Sequence, residues 1–202
     1  MLQSLTIGLI VALVGYFLQR KAWAHNKREE IRQREFEECM RLIEDLSKAV
    51  DRRLSALEEF TSELRKESVS EDSFNKYKES VFSWMHNFST FKSKIFHYFG
   101  REMMLSFENN LHRSLQEVSS IALRTHRYGL DNLSKEHFAE YDNITSRISL
   151  ARRISFQYLG ELNSRVANEE IGRTSLYNNI HAASLDLISR TYLIQRLLGL
   201  KK

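Results

Sequence analysis

Seven histidines, one cysteine and 26 Asp/Glu residues are the groups through which this chain could do acid–base, nucleophilic or metal chemistry. Their spacing argues against each in turn. A di-iron bundle needs repeated Glu-x-x-His pairs. The nearest approach is Glu108 and His112, four residues apart and present once, which a surface i,i+4 pair on a helix also explains. The five histidines other than His25 and His112 are scattered at no metal-ligand spacing. Cys39 falls on an apolar register, where a thiol behaves as a small hydrophobe. A nucleophilic role would require a neighbouring base to lower its pKa, and none is evident. A single cysteine also excludes a disulfide framework and a Cys-based zinc site. Outside the first fifteen residues no two glycines lie close together, so there is neither a phosphate-binding loop nor a dinucleotide fingerprint. The expectation is a protein without catalytic residue, metal or cofactor.

Any element that positions such residues must be helical. The 202 residues contain no proline and seven glycines, which disfavours turn-rich β-sandwiches, proline-rich linkers and collagen-like segments. A hydrophobic share of 42% against 28% charged residues is that of a folded chain. No strand-like alternation is present, and the pattern reads as five helices.

The first 18 residues, ending in LTIGLIVALVGYFL, carry no charge. They would span roughly 27 Å as a helix. No Lys or Arg precedes them, whereas Arg20, Lys21, Lys27, Arg28, Arg32 and Arg34 follow. A cleaved signal peptide has the reverse arrangement. Residues 1–19 are therefore expected to be a transmembrane anchor, residues 20–35 a basic juxtamembrane segment, and residues 36–202 a cytosolic helical bundle, with the N-terminus outside by the positive-inside rule. Ser4, Gly8, Ala12 and Gly15 form one stripe of small side chains, the kind that lets helix backbones approach closely in lipid. Self-association through that stripe is expected.

The formal charge of +4 is local. Residues 20–35 hold a net +3 and the remainder a net +1, so the basic character belongs to a juxtamembrane patch in which Arg20, Lys21, Lys27 and Arg28 would meet lipid headgroups. Basic and acidic residues are mixed in the body, and no direct nucleic-acid contact is expected.

From about Ala22 to Lys66 a heptad runs with Phe36, Ile43, Val50, Leu57 and Leu64 at one position and Cys39, Leu46, Arg53 and Phe60 at the other. Arg53 interrupts it. Either it sets register on the seam or it reaches out to solvent. After Ser68–Asp72, where Ser70 or Asp72 would cap, a helix to Phe99 carries more large apolar groups than one face needs, including Phe82, Phe96 and Phe99. It is either central or presents a second face to a subunit. A third helix runs from Arg101 to Tyr128 between Gly100 and Gly129, with Gly129 in a C-cap-like position. A fourth runs from Lys135 to about Ala167, through Gly160, which weakens it without stopping it. The fifth runs from Arg173 to about Leu198. Short connections make neighbours antiparallel. The expected fold is all-α: a transmembrane helix continuing into a long helix, packed with an antiparallel four- to five-helix cytosolic bundle.

Small helical bundles of this size resemble HEPN domains, ribonucleases that pair an Arg with a His a few residues later. Arg20 to His25 has that spacing but lies next to the anchor, and Arg173 to His181 is too widely spaced, so an active ribonuclease is the least favoured reading. In architecture the chain resembles the small single-span membrane accessories of bacterial antiphage systems, specifically that of type VI-B CRISPR loci, with one N-terminal span and a degenerate HEPN-like body. The resemblance implies a bacterial inner-membrane protein that assembles with itself and perturbs or perforates the membrane when triggered. A non-enzymatic adaptor holding a cytosolic protein or ribonucleoprotein at the membrane is the alternative.

Overall fold

The structure, a computed structural model, describes residues 2–66, 68–168 and 171, with side chains from Gly15 onward. Every described element is helical. Helix α1 spans Leu2–Arg65, α2 Glu71–Ser106, a π-helical turn Phe107–His112, α3 Arg113–Tyr128, a 3-10 turn Leu130–Asn132, α4 Lys135–Asp142 and α5 Ile144–Ala167. Two compact units divide the chain, residues 1–38 and 39–202. Cys39 is the first fully buried side chain among the described residues, whereas Phe36 is 42% exposed. No helix among the described residues is long and apolar enough to cross a membrane. The side chains of residues 1–14, most of the expected anchor, lie outside the described residues, as does the fifth helix expected at 173–198.

Within residues 39–168 the long helices form an up-and-down bundle. The pairings establish the antiparallel order. Phe60 of α1 stacks on Tyr77 of α2 at 4.9 Å, while Arg53 lies over Trp84. Phe74 of α2 meets His126 of α3, while Trp84 meets His112. Arg165 of α5 pairs with Glu102, and Phe107 contacts Tyr158. In each pair one residue number rises as the other falls. The α1 heptad points into this core: Cys39, Ile43, Leu46, Val50, Leu57, Phe60 and Leu64 are all buried. Burial of each Leu, Ile, Val or Phe contributes roughly 1.5–3 kcal/mol, so the seam is a principal source of stability.

The first connection is pinned by α1. Ser70 caps α2, accepting a hydrogen bond from the Ser73 amide at 3.1 Å. Its own amide and hydroxyl donate to the Glu63 carboxylate. The backbone amide of Ser70 is the main reason the Glu63 carboxyl is held below the usual carboxylate range.

Helix α2 is broken where sequence places its end. Gly100 has φ 83° and ψ −179°, inside a span that is otherwise helical, and that region is essentially closed to residues with a Cβ. A Cβ there would meet open space, so any cost of substitution is backbone strain alone. Gly100→Ala is expected to lower the unfolding free energy by about 1–3 kcal/mol, read from urea denaturation. An unchanged midpoint would show that the bend can relax.

The next stretch does not run as the continuous α-helix expected from Arg101 to Tyr128. Its buried residues Met103, Phe107, Leu111 and Leu115 recur in steps of four. Four residues overshoot one α-helical turn by about 40°, so three such steps would carry the last side chain off the core. The π-helical turn at Phe107–His112 widens the helix and returns Leu115 to the core. The Phe107 amide there reaches the carbonyls of both Met103 and Met104, and the Tyr158 hydroxyl of α5 donates to the Met103 carbonyl at 3.1 Å.

The single helix expected over 135–167 is two. Asn143, at φ −88° and ψ 9°, interrupts it, and its side-chain amide donates to the Ala139 carbonyl. Phe138, on the short α4, is 51% exposed. Gly160 is accommodated within α5 as expected.

Candidate functional site

The polar groups that the fold gathers lie inside the bundle. Arg53 from α1, Tyr77 and Trp84 from α2, His112 from the π-helical turn and Ser119 from α3 converge in its middle. Arg53 does not reach solvent: it is 3% exposed. Its Nη2 donates to Ser119 Oγ at 3.3 Å and its guanidinium carbon sits 5.4 Å from the Trp84 ring centroid. Its Nε and Nη1 have no hydrogen-bond partner among the described residues. Burial lowers its pKa to about 10, still far above neutrality, so the charge is retained. Burial also pushes the Tyr77 phenol up.

Trp84 connects this charge to a histidine. Its indole Nε1–H donates to His112 Nδ1 at 3.0 Å, which requires an unprotonated Nδ1. His112 is therefore not half of a surface i,i+4 pair with Glu108. Glu108 is bound instead by Lys92 of α2 at 2.7 Å, and the imidazole packs against Phe88 at 4.4 Å. Burial, then the Arg53 charge, hold the His112 pKa below its ordinary value of 6.5, with Glu108 opposing. Because the folded-state pKa is lowered, the stability that neutral His112 contributes is complete above about pH 6.5 and declines as pH falls below it. Urea midpoints at pH 7.5 and 5.5 should differ accordingly. His112→Gln, whose side-chain oxygen can accept the same indole proton, should shrink that difference. An equal pH dependence in the variant would assign it to other groups.

The arrangement ties α1, α2, the π-helical turn and α3 together inside the bundle. Its rings and donors face one another. Comparison with protein-family models, curated proteins and solved structures finds no match for this chain. The site is therefore read from its own geometry. Among the described residues no group of His, Cys, Asp and Glu is placed to hold a metal ion. Cys39 is fully buried at the start of the core.

The other positions singled out from sequence are elsewhere. Arg20, Lys21, Lys27 and Arg28 are all exposed. Part of that positive charge is answered locally, since Glu30 binds Lys27 at 2.8 Å and Arg34 at 2.6 Å. Gly15 has open space where a Cβ would stand. Ser4, Gly8 and Ala12 lie outside the described side chains, and so does the Arg173–His181 pair. Helix α2 packs against α1, α3 and α5 and still leaves one face open among the described residues. Phe99 is buried, but Phe82, Met85 and Phe96 are 68%, 50% and 55% exposed and follow one another along its outer face. The link between Trp84 and His112 escaped the sequence reading, because two residues 28 apart on different helices share no periodic signal. The step-of-four spacing from Met103 to Leu115 was the available sign of the π-helical turn.

Proposed function

We propose that this chain is a single-span membrane protein that works by self-association, with its helical body on the cytosolic side of a bacterial inner membrane, and that it perturbs or perforates that membrane when triggered. The observation that carries the reading is the uncharged run of 18 residues followed at once by six Lys/Arg within 15 positions. It fits an anchor held N-terminus outward. The outer face of α2 supports association, since the exposed side chains of Phe82, Met85 and Phe96 offer apolar surface that a partner would cover. The architectural resemblance to single-span antiphage accessories supplies the membrane-damaging role.

Replacing Gly8 and Gly15 by Leu is expected to dissolve the oligomer in detergent and abolish any loss of membrane potential in cells. A larger side chain on the stripe blocks close helix approach. Unchanged depolarisation in that variant would refute the proposal. The same exposed α2 face favours a second reading, an adaptor that docks a cytosolic protein at the membrane. The two separate when the first 19 residues are exchanged for an unrelated single span. The adaptor keeps its function and the membrane-active oligomer loses it.

A further inference from the structure

We propose that the Arg53 guanidinium, together with the Tyr77 hydroxyl, binds chloride, a small monovalent anion, in the middle of the bundle. Arg53 is 3% exposed, and its Nε and Nη1 have no hydrogen-bond partner among the described residues. The Tyr77 hydroxyl is in the same condition, on a side chain 1% exposed. Both groups border Ser119. Arg53 Nη2 donates to the Ser119 hydroxyl at 3.3 Å, and the Tyr77 phenol feels both that hydroxyl and the Arg53 charge. Two N–H donors and one O–H donor thus stand unmatched beside one buried positive charge.

Buried charges in proteins are paired, and buried donors find acceptors. Other arginines of this bundle follow the rule: Arg152 pairs with Glu58, Arg124 with Glu140 and Arg165 with Glu102. Arg53 instead has the face of Trp84, with 5.4 Å from its guanidinium carbon to the ring centroid, and no carboxylate pairs with it among the described residues. The positive charge persists, because burial brings the pKa only to about 10, and it reaches His112, where it joins burial in holding the imidazole neutral. Such a set calls for one negative charge that accepts several hydrogen bonds and donates none. A halide meets that description. Water would bring two more donors and cancel no charge. A divalent anion would leave a net negative charge in the interior, where an uncompensated ion is costly. A cavity of about 330 Å³ between α1 and α2 reaches Ser80 and Trp84, so solvent comes as close as the ring that covers the guanidinium. The inference stands on this interior cluster and does not depend on the membrane-damaging role proposed above.

The test is thermal unfolding of the full chain in neutral detergent at constant ionic strength. Sodium gluconate, whose anion is too large for the interior, is replaced stepwise by sodium chloride. A ligand held only by the folded state raises the midpoint as its concentration grows, and that rise is the expected result. Arg53→Met removes the charge and all its donors while remaining apolar and flexible enough to pack, and its midpoint should ignore the exchange of anions. Tyr77→Phe removes a donor that has no partner to lose. It should need about tenfold more chloride for the same rise, the scale of one charge-assisted hydrogen bond. A variant with Arg20, Lys21, Lys27 and Arg28 replaced by Gln should respond as the parent does. A parent midpoint indifferent to chloride overturns the proposal. An equal rise in Arg53→Met, or loss of the rise in the juxtamembrane variant, overturns it by assigning the effect to surface charge. An unchanged response in Tyr77→Phe overturns the donor set.

Discussion

Replacing Arg53 by methionine is expected to make the bundle more stable. The guanidinium is almost wholly buried, keeps its charge, and leaves Nε and Nη1 without partners among the described residues. Among the described residues no carboxylate pairs with it. What it gains is one 3.3 Å bond to Ser119 and the face of Trp84. A cation over an aromatic ring contributes about 0.5–2 kcal/mol and a single hydrogen bond about 1 kcal/mol. Against these stand the desolvation of the charge and two unmade hydrogen bonds. Burial alone brings the Arg53 pKa down to about 10, the mark of a charged form disfavoured by desolvation. Methionine is similarly long, flexible and apolar, and exchanges of buried charge for well-packed apolar groups often stabilise by about 1–4 kcal/mol. A gain of about 1–3 kcal/mol should appear as a higher urea midpoint. A loss of stability would show that the Trp84 and Ser119 contacts outweigh desolvation. The sign also bears on function. A buried charge retained at a cost in stability fits a bundle that must open or keep one register, and a hyperstable Arg53→Met variant that no longer responds to its trigger would support that role.

Trp84→Ala should be the most damaging single substitution in the described core. Trp84 is 1% exposed, lies against Phe91 and Phe107 with ring centroids about 6 Å away, covers Arg53 and bonds His112. Truncating a buried Trp costs about 3–5 kcal/mol through lost transfer energy and the cavity left behind. It also uncovers a buried charge and leaves the His112 acceptor unpaired. Against a total stability of about 5–15 kcal/mol, the variant is expected to be largely unfolded at 37 °C. A double variant, Trp84→Ala with Arg53→Met, measures the coupling. If the two side chains act together, the loss on truncating Trp84 should be smaller by about 0.5–3 kcal/mol in the methionine background. Strict additivity would mean that Trp84 matters for its bulk alone.

The pH dependence assigned to His112 and the strain assigned to Gly100 test neighbouring parts of the same interior. His112 binds α2 to the π-helical turn through one hydrogen bond, whereas Gly100 bends α2 ahead of that turn. Loss of either should loosen the junction of α2 with α3 while leaving the α1 seam intact.

Much of this architecture was legible along the chain, because it rests on short-range physics. Absence of proline and strand alternation required helices, and Gly100 and Gly129 marked ends because positive φ is open to residues lacking a Cβ. Ser70 and Asp72 could be named as candidate caps, and the register of Ile43, Leu46, Val50, Leu57 and Phe60 followed from the heptad. Local charge likewise separated a basic segment from a nearly neutral body. Tertiary structure alone decided the rest. Whether Arg53 faced solvent or core depended on which helices closed over it. Which side of α2 remained outside depended on where α3 and α5 lay. The Trp84–His112 bond joins residues from separate helices, and periodicity within one helix carries no information about what stands opposite it.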